Sequence, residues 1–134
     1  MERRAYSLRM KEFIRYCVEL LEALGPVRVK PMFGAHGLYV DEIFMALIGS
    51  DEQLYLKVDE QSRPRFEAAG CEPFRFVEKS GEVMTMSYYK PPEEAMESPA
   101  LMRPWARLAM EAALRERNAK PARKPAAKKA SKPA

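Results

Sequence analysis

Apolar residues recur at three- and four-residue steps through Met10, Phe13, Ile14, Cys17, Val18, Leu21 and Leu24. That is the period of one helical face, and it predicts an α-helix over about residues 7–24. Gly25-Pro26 ends it, because glycine takes the left-handed closing conformation and proline cannot continue the ladder. The period then shortens to that of strands. Four runs follow, VRVKPMF (27–33), GLYVD (37–41), IFMALIG (43–49) and QLYLKV (53–58), punctuated by GAHG, DE and SDE. Gaps this short permit hairpins and exclude parallel crossovers, so the four strands form an antiparallel meander. IFMALI is apolar on both alternating faces and belongs in the middle of the sheet. In the fourth run Leu54, Leu56 and Val58 share one face.

The helical period returns briefly in DEQSRPRFEAAG (59–70). Asp59 or Ser62 is its N-cap, Phe66 and Ala69 face inward, and Gly70 stops it. Pro64 delays regular helix to about Arg63. PFRFV (73–77) and EVMTMSYYK (82–90) read as two more strands. After PPEEAMESP, the pair Ser98-Pro99 opens a last helix with Leu101, Met102, Trp105, Leu108, Ala109 and Ala112 on its apolar face. Pro104 either kinks that helix or belongs to the first turn of a restarted one. The expected fold is α+β: an antiparallel sheet of five to six strands, with an N-terminal, a short middle and a C-terminal helix packed mostly on one face.

Charge divides the chain at residue 117. Residues 1–117 hold 17 lysines and arginines against 19 acids, a net charge of −2. Residues 118–134 hold Lys120, Arg123, Lys124, Lys128, Lys129 and Lys132 and no acid, a net charge of +6. This KPARKPAAKKASKPA segment has no large apolar residue. It is expected to be a disordered basic tail after a single folded domain at 1–117, because it buries too little to offset ordering entropy. Six flexible cations suit weak, sequence-independent binding to nucleic acid. The competing role is solubilisation alone. No apolar run reaches the length of a membrane span, and the N-terminus lacks the apolar core of a secretory signal, so a cytoplasmic protein with no membrane partner is expected.

Candidate chemistry is sparse. His36, the chain's one histidine, lies in GAHG, between Gly34 and Gly37. A phosphate loop would lead into a helix. Here a strand pattern follows, so the glycines read as a hairpin bend and His36 as a partly exposed loop residue. One histidine and two distant cysteines make no metal set, and no cofactor is expected. Cys17 and Cys71 read as packed, reduced thiols. Tyr88 and Tyr89 are adjacent on a strand and point to opposite faces. One packs inward. The other, beside Lys90, either shields a sheet edge or is exposed to stack on a partner. His36, Tyr88, Tyr89 and Lys90 are therefore the partner-contact candidates, and no residue is nominated as catalytic.

Three long stretches, MFGAHGLYVDEIFMALI, LYLKVDEQSRPRFEAAGCEPF and VMTMSYYKPPEEAMESPALMRPWARLAMEAAL, resemble in order and spacing the N-terminal domain of the TfoX/Sxy competence regulators. The likeness covers about residues 8–115. It implies an α+β domain with an antiparallel sheet, no known catalytic role and work in transcription regulation, in the best-described members together with the cyclic-AMP receptor protein. Those members carry a second, C-terminal domain, for which residues 118–134 are too few and too polar. In the family's hairpin motif Ala35 and His36 stand where glycine and tyrosine are commoner. The favoured expectation is a non-enzymatic regulatory module that docks a protein partner of the transcription machinery, with the tail adding nucleic-acid affinity. Two other readings stand beside it: a ligand-binding or enzymatic domain using a pocket between sheet and helices, with His36 or Tyr89 as polar handles, and a homodimer whose tail only solubilises.

Overall fold

A computed structural model of the chain describes residues 2–32, 34–77, 80–81 and 83–127, with side chains over 8–32, 34–75, 80–81 and 87–119. Helix α1 spans Glu2–Leu21 and tightens into a 3₁₀ turn at Glu22–Leu24. Strands β1 (Val27–Met32), β2 (Ala35–Val40), β3 (Ile43–Ile48) and β4 (Leu54–Lys57) follow. Then come α2 (Arg63–Ala68), β5 (Pro73–Val77), β6 (Val83–Tyr89), a 3₁₀ turn at Glu93–Glu97, and α3 (Pro99–Ala127). The six strands form one open sheet in the order β1-β2-β3-β4-β6-β5, and the registered pairs are antiparallel. The meander over β1–β4 is as the short gaps require. The α2 connection then carries the chain past one position, and β6 returns between β4 and β5.

Local chemistry explains the turns. Asp41 and Glu42 both take positive φ, 54° and 65°, the conformation of a two-residue hairpin that matches strand twist. Arg28 of β1 reaches across to the Glu42 carboxylate at 2.9 Å and lies over the Tyr39 ring. Between β1 and β2 the bend is tighter than GAHG suggested. Gly34 takes the positive φ of 79°, and Ala35, His36 and Gly37 already belong to β2.

The principal core lies between the sheet and the helices α1 and α3. Cys17, Leu20 and Leu21 of α1 meet Leu38, Val40, Ile48, Leu54, Leu56 and Val58 from the sheet. Helix α3 contributes Met102, Ala106, Ala109 and Ala113, a seam of mostly small residues at four- and three-residue steps. Leu101, expected inside, is 46% exposed: the buried face is rotated toward the alanines, whose size lets the helix lie close to the sheet. Ala69 is likewise exposed, and Phe66 alone anchors α2. Pro104 sits within α3, nearly two turns beyond the opening Ser98, whose side chain accepts the Leu101 N–H at 3.1 Å.

The sheet's other face has its own cluster. Leu47, Tyr55 and Tyr88 are buried there against Phe44 and Phe74. The Tyr39–Phe44, Phe44–Tyr88 and Tyr55–Phe74 rings lie 5.0, 5.9 and 4.7 Å apart. This layer covers the second face of β3, which the double-sided apolar pattern of IFMALI demands. Burial pushes the Cys17 thiol up to about 12 and raises that of Cys71, in line with packed, unreactive thiols.

Candidate functional site

The chain leaves β4 at Lys57 and reaches α2 at Arg63 through a turn over residues 58–62. At that turn the Ser62 N–H donates to Asp59 Oδ1 and the Asp59 N–H donates to Ser62 Oγ, both at 3.1 Å. This reciprocal pair is a capping box at the start of a helical turn. The Arg63 N–H closes the same turn on the Asp59 carbonyl at 2.9 Å. The carboxylate has a second duty. Arg115 of α3 donates to it in bidentate fashion, Nε to Oδ2 at 2.7 Å and Nη2 to Oδ1 at 2.9 Å. One residue further along α3, Glu116 pairs with Lys57. The Lys57 ammonium also lies 5.1 Å over the Tyr88 ring.

These contacts line a groove of about 860 Å³ between the β4–α2 turn and the later turns of α3, with Glu60, Gln61, Arg63, Ser87 and Ala119 completing its walls. Acids and bases balance along it, and the Lys57–Glu116 and Asp59–Arg115 pairs tie α3 to β4 and to the turn that follows it. Hydrogen bonds from Arg115 hold the Asp59 carboxyl down to about 2; burial opposes this, and the Ser62 backbone N–H assists. The groove is thus an electrostatic clamp on α3.

The partner-contact candidates do not gather here. Tyr89 is buried in the principal core, tilted against Phe66 with ring centroids 5.9 Å apart, and donates to Glu67 Oε2 at 2.9 Å. Burial first, then Glu67, raises its hydroxyl pKa. Tyr88 is buried in the aromatic layer on the opposite face, and burial raises its hydroxyl too. Neither ring is exposed, and β6 is an interior strand, so the edge-shielding role is also excluded: the aromatic layer buries Tyr88 on the face opposite the helices. Lys90 is half-buried and pairs with Glu72 at 3.4 Å. His36 lies on β2, two strands from β4 in sheet order, opposite Pro31 and Ile48. It is half-buried, and its Nδ1 is buried without a hydrogen-bond partner among the described residues. Of the tail cations, the side chains of Lys120, Arg123 and Lys124, and all of Lys128, Lys129 and Lys132, lie outside the described residues. The backbone of α3 continues to Ala127, past the point where the sequence pattern suggested the helix ends. Alanine, lysine and arginine there are good helix formers, against Pro121 and Pro125, each of which removes an intrahelical hydrogen bond.

His36 offers a direct test. Removing an uncompensated buried nitrogen while keeping bulk is neutral or favourable. His36→Leu should therefore leave the thermal midpoint unchanged or raise it. A clear drop would mean that the imidazole makes a contact the fold needs.

Among the described residues no group of three or more His, Cys, Asp or Glu side chains is placed to hold a metal, and no helix is long and apolar enough to cross a membrane. Fold and groove together define a small α+β domain: an open antiparallel sheet backed by two long helices and clamped by ion pairs. The family model described as the TfoX N-terminal domain matches residues 19–113, and the chain belongs to that family. DNA transformation protein TfoX1 of Aliivibrio fischeri is 31% identical over 100 residues, 75% of this chain and 47% of that protein. Protein Sxy of Escherichia coli is 28% identical over 100 residues, with the same coverage. The chain thus spans about half the length of the curated relatives it matches.

Of the two cap candidates, Asp59 or Ser62, it is the Asp59 carboxylate that caps, accepting the Ser62 N–H, while Ser62 makes no side-chain cap bond to α2; the ties to α3 were not legible. Arg115 stands 56 residues from Asp59, and no local spacing connects them.

Proposed function

We propose that the chain is a non-catalytic regulatory module that docks a protein partner of the transcription machinery, with residues 118–134 acting as a basic tail that adds weak, sequence-independent affinity for nucleic acid; one relative is named a DNA transformation protein. The supporting observation is the family match over residues 19–113, which includes all six strands. The step in charge after residue 117 supports the tail's part. The ligand-binding reading is weaker: neither His36 nor Tyr89 lines the groove, and its central charges are spent on each other.

The tail is tested by fluorescence anisotropy on a labelled DNA duplex. The full chain is compared with one ending at Arg117 across salt concentrations. Six phosphate contacts contribute about −0.9 each to the slope of log K against log salt, so truncation should weaken binding and reduce the slope's magnitude by about 5. Equal binding by the two forms, or none by either at low salt, would overturn the tail's role. A pull-down from the source cell with nuclease-treated extract tests the protein partner. Capture that disappears with nuclease would mean that contact runs through nucleic acid only.

A further inference from the structure

Helix α3 carries more cations than its clamp uses. Arg115 and Glu116 are engaged by Asp59 and Lys57. Arg103, Arg107 and Arg117 are all exposed, and none makes an ion pair among the described residues. Steps of four and ten residues set the three within a narrow sector of the helix, about 80° wide at 3.6 residues per turn. Leu114, also exposed, falls in the same sector, and so does Met110, which is half-buried against the principal core. Glu111 lies about 40° outside it and, besides the engaged Glu116, is the one acid of α3. The face is therefore net positive on a body, residues 1–117, whose net charge is −2. In sequence it leads straight into the tail, because Lys120 and Lys124 follow Arg117 at three- and seven-residue steps.

We propose that the outward face of α3, through Arg103, Arg107 and Arg117, is a binding surface for the phosphate backbone of duplex DNA, continuous with the tail. This rests on the nucleic-acid reading of the tail and extends it onto the folded body. Guanidinium groups suit the task, since their planar fork donates two hydrogen bonds to one phosphate. From Arg103 to Arg117 the helix axis advances about 21 Å, the axial length of about six phosphates on one strand. Helix α3 is also held in place: the alanine seam and the Asp59–Arg115 and Lys57–Glu116 ties present the three arginines from an element fixed to the body, so that less has to be ordered on binding. Contacts of this kind position a protein on DNA without reading its sequence.

The test uses the full chain and the same duplex. Arg103→Gln/Arg107→Gln should weaken binding at least about tenfold at 0.1 M salt and shrink the slope's magnitude by about 2, equally for unrelated sequences. Arg103→Lys/Arg107→Lys should restore most of the slope. Exposed Lys11 and Arg15 on α1 are the control: Lys11→Gln/Arg15→Gln lowers net charge equally and should move the slope far less. Equal losses in the two glutamine pairs would overturn the proposal and leave net charge as the cause. No change in the α3 pair, with binding lost on truncation at Arg117, would also overturn it while leaving the tail's role intact. Residual binding by the truncated chain that the α3 pair abolishes would uphold the surface even if the tail did nothing. Capture by phosphatidylserine-phosphatidylcholine vesicles without DNA binding would assign the face to membranes and overturn the proposal.

Discussion

Phe66→Ala will destabilise the domain by about 3–5 kcal/mol, the cost of removing a buried aromatic ring that the surroundings cannot fill. Phe66 is fully buried and is the sole buried residue of α2. Its ring meets Trp105 edge-on with centroids 5.1 Å apart and tilts against Tyr89 at 5.9 Å, so it joins the middle helix to α3 and to β6 at once. A helix as short as Arg63–Ala68 has little stability of its own and depends on such an anchor. The alanine variant also frees Tyr89 to lose its bond to Glu67. Phe66→Leu keeps most of the volume and should cost less, about 1–2 kcal/mol. Urea unfolding followed by circular dichroism measures both. If the alanine variant lost under about 1 kcal/mol, the ring could not be the anchor described here.

Asp59→Ala will cost about 2–3 kcal/mol, because one carboxylate serves both the capping box and the bidentate hold on Arg115. The figure stays below the sum of the separate contributions because both partners are partly in water, with side-chain exposures of 28% and 39%. The loss carries a pH signature. The folded carboxyl titrates at about 2, against about 3.9 in an unfolded chain. The charged form is therefore the one that folding favours. Its contribution is complete above pH about 4 and disappears as pH falls through about 2. The difference in stability between the parent chain and Asp59→Asn should accordingly shrink between pH 4 and pH 2. A difference that is constant over that range would show that Arg115 does not stabilise the charge. Arg115→Gln, measured alone and with Asp59→Asn, should return a coupling of about 1–2 kcal/mol.

The sheet was legible because its signals are local. Short gaps force neighbouring strands to pair, and the alternation in LYLKV placed Leu54, Leu56 and Val58 on the principal core without reference to any other element. Where the reading missed, distant parts of the chain decide. Tyr88 and Tyr89 could not both be assigned to dry surroundings from adjacent positions on one strand: burial of Tyr88 requires Leu47, Tyr55 and Phe44 to converge on the face opposite the helices. Leu101 carried the right hydropathy for a buried position, yet the alanine seam fixed a different rotation of α3. His36 looked like part of a loop because two glycines flank it. Only one of them, Gly34, is needed for the bend, and Gly37 lies in β2 where a Cβ would come within 2.7 Å of Met32 Cε. For the groove, sequence gave the cap and nothing of the clamp, since Arg115 and Glu116 are two of several charged residues on a helix and only folding selects which ones meet β4 and its turn.

The alanines beneath α3 have a consequence for how such a domain changes over generations. Ala106, Ala109 and Ala113 leave no space for a larger side chain between helix and sheet, so the inward half of α3 resists substitution and its rotation about its own axis is locked. The outward half is under no such restraint. Charges there can be exchanged one at a time without disturbing what lies below, so a lineage can retune what the helix meets in solution while inheriting the same scaffold.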